Sequence, residues 1–548
     1  MRSWVVVGWL CVLMLASVAL GWAAAGPEQQ LSKRWLFIWQ DLDTPEQVDS
    51  VIALFPRAEA AGYNAVLIWY QMAPSRVEEL KEAAKQHHLD IIPIIMANPH
   101  DPNYTEGLLA KDALFVARGK TATFQPDNPT KALNGDFEEV RGNHFGGWGF
   151  QDDEGKTIFA EHEVVHSGKT ALRMENVKTG NQDGHCRLSQ KIKLQPYRQY
   201  HVSVWTKTED WKPTEAEIKV ITDSDRVISF QTFPVESTQD WRRHDIVFNS
   251  LSYTDATLYL GNWSNSMGRL WWDDLNVEEI GLVNALRRPG CPVTVRGENG
   301  TTYEEGRDYE YIKDPNQRIY QVYHELPVVH LMPNTRIADG ERLRVSYYHP
   351  AIVYEDRLTG CLSEEKIFED WRQEVKEAND RFHPPAFMMS HDEMRVINQC
   401  ALCQSRHMTP GQLLADNVRR SAQIIRDIRP DAEVWVWNDM FDPLHNAVDD
   451  YYLVNGTLWG SWEGLDRDIG IVNWIGERKG ENCRFFAERG EKEVLAGYYD
   501  GDEDGSGIAE WLKNAQPIGG IVGAMYTTWQ SKYGAMEAWA KAAWGGGG

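Results

Sequence analysis

Basic residues are in short supply. The chain carries 56 Lys and Arg against 80 Asp and Glu, a formal net charge of −24. That balance argues against a nucleic-acid partner, whose phosphates would be repelled. Cysteine is scarce as well, with 7 in 548 residues, so no dense disulfide framework holds the fold. Past the N-terminus no apolar run is long enough to span a bilayer, so the mature chain is expected to have no membrane span. No His-x-His pair follows the first strand, which weakens a metal-dependent hydrolase built on His100, His391 and Asp392.

What is present begins with an export signal. Arg2 precedes an apolar core from Trp4 to Leu20, and Ala23-Ala24-Ala25 offers a small-residue cleavage site. Residues 1–25 therefore read as a signal peptide, and the mature protein as secreted or periplasmic. Export permits disulfides among the six remaining cysteines. Cys400-x-x-Cys403 with His407 also matches a zinc-ligand spacing, and both readings stay open.

Apolar runs alternate with amphipathic helical patterns on both sides of a β-rich interval. Trp35 to Trp39, Ala65 to Tyr70 and Asp90 to Ala97 read as three strands. Five more follow: Pro385 to Ser390, Glu433 to Trp437, Asp468 to Trp474, Glu493 to Tyr499 and Gly520 to Trp529. Eight strand–helix units predict an α/β fold, a (β/α)8 TIM barrel interrupted after strand three. The interruption is an all-β jelly-roll sandwich followed by a small β-rich segment. The expected layout is barrel over 26–130, sandwich over 131–280, β-rich segment over 281–350 and barrel again over 351–548.

Chemistry concentrates where these strands end. Pro385-Ala386-Phe387-Met388-Met389-Ser390-His391-Asp392-Glu393 is a short apolar run closing in adjacent ionisable residues. Adjacent carboxylates can take different pKa values and so different roles, which is what cleaving a glycosidic bond requires. The competing reading is a helix N-cap followed by a first-turn Glu. The other strand ends supply Trp39, Asp41, Tyr70, His100, Arg395, Trp437, Asp439, Trp474, Tyr498, Asp500 and Trp529. Indoles can wall a sugar ring while polar groups grip its hydroxyls, and 23 Trp make such a pocket affordable in composition. A glycan-binding protein without catalysis is the alternative from another class.

The order of these strand-end motifs resembles the family 20 glycoside hydrolases, the β-N-acetylhexosaminidases. The matching motifs are Asp392-Glu393, Trp437-Asn438-Asp439, Trp474, Tyr498-Tyr499-Asp500 and Trp529. The resemblance covers the barrel only and implies substrate assistance. Glu393 would be the general acid, Asp392 and Tyr498 would orient a 2-acetamido group, the tryptophans would wall the sugar, and Asp500 would hold ring hydroxyls. No cofactor would be needed for catalysis. The chain departs from the family at Ser390-His391, where Gly-Gly is usual, and lacks its Arg near the first strand. An ordinary retaining glycosidase, with Glu393 as acid/base and Asp500 as nucleophile, therefore stays open.

The interval Leu133-Asn134-Gly135-Asp136-Phe137-Glu138, with Gly147-Trp148, His166-Ser167-Gly168-Lys169 and Trp271-Trp272-Asp273-Asp274-Leu275, resembles jelly-roll carbohydrate-binding modules. That resemblance implies a structural calcium held by Asp136, Glu138 and Asp274. Trp205 and Trp263 are the candidate sugar platforms, and an oligosaccharide or polysaccharide is the expected partner.

Overall fold

The computed structural model describes residues 31–69, 76–96, 101–127, 130–318, 320–354, 358–475 and 480–545. The export signal, Tyr70 and His100 lie outside these residues.

Eight parallel strands close into a barrel. They are β1 (Lys33–Phe37), β2 (Ala65–Trp69), β3 (Asp90–Met96), β4 (Ala386–Ser390), β5 (Glu433–Trp437), β6 (Ile469–Asn473), β7 (Glu493–Leu495) and β8 (Ile521–Tyr526). β8 pairs back onto β1 with Lys33 opposite Gly523. Strand parity divides the side chains between two layers. Trp35, Phe37, Leu67, Ile94, Met388, Trp435, Trp437, Val472 and Met525 fill the barrel interior. The alternate residues, such as Leu36, Val66, Phe387, Met389, Val436 and Ile471, pack outward. At the amino end of the barrel, Lys33 pairs with Glu433 at 2.5 Å, and Glu433 also accepts from Trp435 Nε1.

Helices α1 (Pro45–Ile52), α2 (Val77–Gln86), α3 (Glu365–Phe382), α4 (Pro410–Ile428), α5 (Glu481–Arg489), α6 (Ser506–Ala515) and α7 (Met536–Trp544) accompany the strands. α1 and α4 start alike. Thr44 and Thr409 form capping boxes with Gln47 and Gln412, and a Pro opens each helix. The regular alternation breaks once. Between β5 and β6 the chain makes two 3₁₀ turns, Asp439–Phe441 and Ser461–Gly464, and a two-residue strand, Leu453–Val454, but no α-helix. The second turn lies against α4 so closely that a Cβ on Gly464 would stand 2.2 Å from the Ala415 carbonyl oxygen.

Between β3 and β4 lie two five-stranded sheets. One holds Gln239–Asn249, Gln199–Lys212, Met267–Ile280, Ala171–Glu175 and Ile158–Glu161. The other holds Val227–Pro234, Glu215–Ile221, Asp255–Asn262, Cys186–Lys193 and Phe150–Gln151. Their inner faces bury Trp148, Tyr200, Trp211 and Trp272 in one core. A further six-stranded sheet pairs Arg342–His349 with Leu108–Arg118. Residues 108–124, grouped with the barrel from the sequence, thus belong to this sheet. An apolar run there resembles a barrel strand, but it turns at Gly119 (φ 61°) and pairs antiparallel with Thr121–Phe124.

Candidate functional site

The carboxyl ends of β4 and β5 bring three carboxylates together. Asp392 accepts from Ser390 Oγ at 2.7 Å. Glu393 has φ 50°, a left-handed conformation uncommon for a residue with a side chain. Its backbone N–H donates to Asp439 Oδ2 at 2.8 Å, and its Oε1 accepts from Arg395 Nη2 at 2.6 Å. The Glu393 side chain keeps 23% of its exposure, while that of Arg395 keeps 6%. The Arg395 guanidinium lies 4.4 Å from the Tyr354 ring and 5.1 Å from the Tyr452 ring. Asp439 is fully buried and accepts also from Asn446 Nδ2 at 2.9 Å. Burial, and then the charges of Asp392 and Glu393, push its carboxyl up to about 7.

Aromatic rings close the barrel beneath this rim. Trp39 lies 4.8 Å from Trp529 and 5.9 Å from Trp69, and Trp437 lies 6.1 Å from Trp529. Phe37 touches Trp39, Trp69, Trp437 and Trp529. Trp39, Trp69, Trp474 and Trp529 are only partly buried over the interior cluster. Trp474 is set by its N–H donating to Asn438 Oδ1 at 3.1 Å. On the β7–β8 side, Asp500 accepts from Thr528 Oγ1 at 2.5 Å and from Trp529 N–H at 2.7 Å. Tyr498 is 58% exposed, and its hydroxyl accepts from Gln530 Nε2 at 2.9 Å. Burial, and then Asp500, raise its phenol above the ordinary value.

Not every expected residue reaches the rim. Asp41 is exposed. His391 is fully buried and faces away. Its Nε2 lies 3.0 Å from Asn417 Oδ1 of α4, and its ring lies 5.4 Å from Trp371 of α3. Burial lowers its pKa to about 4. The reason is parity: Met388 and Ser390 share the inward phase, so His391 continues the outward phase of Phe387 and Met389. Trp69, Asn446, Tyr354 and Tyr452 were missed. Trp69 carries a legible signal, since it continues the inward phase of Ala65 and Leu67. The other three come from loops with no strand register to place them.

In the inserted sandwich, Glu138 Oε1 accepts from the N–H groups of Lys169 and Thr170, at 2.6 and 2.9 Å. Asp274 accepts from Ser167 Oγ and meets His166 Nδ1 at 2.6 Å. Both carboxylates thus flank one turn, and Asp136 is exposed two residues before Glu138. Among the described residues these three do not form a set with all ligand atoms within 4.8 Å; Glu106, Cys361, Cys400 and Cys403 do. His407, grouped with Cys400 and Cys403 from the sequence, is exposed outside that set. Trp205 stacks on His166 at 4.0 Å, and Lys219 Nζ sits 3.4 Å from the Trp263 ring centre. As placed, both indoles are engaged within the module.

A closed parallel barrel with a carboxylate-and-indole rim, carrying an inserted β-sandwich, is the class that fold and site define. Residues 130–265 match the family model described as "Carbohydrate binding domain" (CBM_4_9), which implies a glycan partner for the sandwich. The matched span is well short of half the chain. No curated protein matches the sequence. Solved structures that resemble parts of the chain include a family 16 carbohydrate binding module, at 19% identity, covering 27% of this chain and 97% of that one with a TM-score of 0.21. The xylan-binding domain CBM22-1 of Xyn10C from Paenibacillus barcinonensis is 14% identical over 25% of this chain and 88% of that one, TM-score 0.19. The arabinose-bound α-L-arabinofuranosidase MgGH51 is 10% identical over 79% of this chain and 76% of that one, TM-score 0.23. TM-scores this low support no inference about function. Among the described residues no helix is long and apolar enough to cross a membrane.

Proposed function

We propose that this chain is a glycoside hydrolase with a TIM-type barrel, acting on a glycan that its inserted module engages. The observation that carries the reading is the gathering of Asp392, Glu393 and Asp439 at the rim that also presents Trp39, Trp69, Trp474 and Trp529. Glu393 is the general acid and protonates the leaving oxygen. In the substrate-assisted form, the substrate's 2-acetamido oxygen attacks the anomeric carbon as the glycosidic bond breaks. Asp392 and Tyr498 orient that acetamido group. Water then opens the cyclic intermediate and returns a proton to Glu393.

A second reading is favoured by the fixed orientation of Asp500, both of whose oxygens are held by Thr528 and Trp529. There Asp500 is the nucleophile and forms a glycosyl-enzyme with a 2-hydroxyl sugar. Paired aryl glycosides separate the two. Release from the 2-acetamido sugar alone is the expected outcome. Release from the 2-hydroxyl sugar moves the nucleophile to Asp500, and release from neither, with glycan binding intact, leaves a binding protein.

The segment 1–25 supports export, so the substrate would be met in a secreted or periplasmic setting. For the module we propose a structural Ca²⁺ held by Asp136, Glu138 and Asp274 beside the 166–170 turn. The support is that Asp274 and Glu138 flank that turn, with Glu138 using only one oxygen there. EGTA is then expected to lower the melting temperature of the sandwich, since an ion bound only to the folded form stabilises it. An unchanged melting curve removes the ion.

A further inference from the structure

Four cysteines from three distant stretches of chain meet below the loop that follows β4. Cys361 Sγ lies 3.6 Å from Cys400 Sγ and 3.5 Å from Cys403 Sγ. Cys291 packs into the same buried cluster as these three cysteines. Cys291 approaches where Gly107 leaves room: a Cβ at Gly107 would stand 2.9 Å from its Sγ. All four cysteines are buried, and none forms a disulfide. A tetrahedral zinc site, with Zn–S about 2.3 Å, has S···S edges of about 3.8 Å. A disulfide brings its sulfurs to about 2.05 Å. The Cys361–Cys400 and Cys361–Cys403 spacings are close to the first geometry.

The surroundings suit thiolates. Cys403 N–H points to Cys400 Sγ at 3.5 Å, the kind of backbone contact that orients a metal-bound sulfur. The Arg288 guanidinium is buried beside the cluster, held by the Thr105 carbonyl at 3.1 Å and Glu364 at 3.3 Å. Glu106 Oε1 accepts from the N–H groups of Gln399 and Cys400, both at 2.7 Å, and Glu106 Oε2 lies 3.5 Å from Cys403 Sγ. The backbone converges on the same point: Cys361 N–H donates to Tyr104, and Ala401 N–H to Gly290.

We propose that Cys291, Cys361, Cys400 and Cys403 hold a structural zinc ion, with Arg288 offsetting the negative charge of the four thiolates and Glu106 anchoring the Gln399–Cys400 backbone. Each thiol gives its proton to water as its Zn–S bond forms, and no electron is transferred. The ion ties the chain returning from the sandwich, through Cys291, and the entry to α3, through Cys361, onto the loop that starts with Asp392 and Glu393. Its role is to position that loop, independently of which glycan is cleaved.

The full chain purified without chelator is assayed for metal, and a Co²⁺-substituted sample is read by absorption. About one zinc per chain and the intense sulfur-to-cobalt bands of a tetrahedral thiolate site are expected. Cys361→Ser and Cys291→Ser should each lose most of the metal, whereas Glu106→Gln keeps it. Both wild-type readouts stand even if the cysteine variants fail to fold. Wild-type protein that holds no zinc and takes up no Co²⁺ under mild reduction overturns the site. An unreduced peptide map with these cysteines joined by S–S bonds does the same. Loss of metal in Glu106→Gln but not in Cys291→Ser overturns the tetrathiolate assignment.

Discussion

Glu393 occupies a left-handed backbone conformation that costs a side-chain-bearing residue about 1–2 kcal/mol. Its N–H bond to the buried Asp439 and its ion pair with Arg395 hold it there. Strain held by surrounding contacts often marks a working residue. Glu393→Gln keeps the shape and removes the carboxyl proposed as the general acid. We expect kcat to fall about 10²–10⁴-fold, the range for one general acid, with binding of an unreacted glycan retained. Rate and titration measurements on one preparation test this, and undiminished turnover would take Glu393 out of the mechanism. This residue was legible from the sequence, because a charge pair ending an apolar run is a local signal. Asp439 was legible as a rim residue, but its burial and raised pKa were not. The rise comes from burial and then from the charges of Asp392 and Glu393, against the hydrogen bond from Asn446, which sits in a loop whose path no local pattern sets.

At the scale of elements, β5 and β6 show how tightly the barrel interior is fitted. Gly470 of β6 pairs with Trp435 of β5, and a Cβ at Gly470 would fall 2.2 Å from the Trp435 ring. The large indole beside a residue without a side chain fills the barrel without overlap. Gly470→Ala is therefore expected to destabilise by about 1–3 kcal/mol, as overpacked cores do. Denaturant unfolding measures it, and a stability equal to wild type would mean the ring has room to move. Strand existence was readable here from five-residue apolar runs, and β5 is found at Glu433–Trp437 as expected. The missing helix after β5 was not readable. That interval is stabilised by lying against α4, a contact between distant segments.

Over the whole molecule, buried titratable groups set the pH response. Burial raises Glu279 and Asp439 to about 7 and Glu493 to about 8. It lowers His244, His349 and His391 to about 4. Between about pH 4.5 and 6.5 the folded chain holds protons on the three carboxyls that the unfolded chain has lost, which makes stability fall with pH. In the same window the unfolded chain holds protons on the three histidines, which makes stability rise. The two tendencies oppose each other. Above about 6.5 the histidines are neutral in both states and only the carboxyls still act. Stability is thus expected to fall from pH 6.5 to 8. Calorimetry at constant ionic strength measures it, and a rise between 6.5 and 8 would contradict these burials.

The sequence by itself determined the eight apolar strands, their order and the acidic pair after β4. These are local patterns of period two and 3.6, with caps and turns that act within a few residues. Only the tertiary structure decided that His391 turns into the helix layer, that residues 108–124 leave the barrel, and that Cys291, Cys361, Cys400 and Cys403 meet. Those outcomes depend on which distant surfaces bury each other, and burial is a property of the assembled chain.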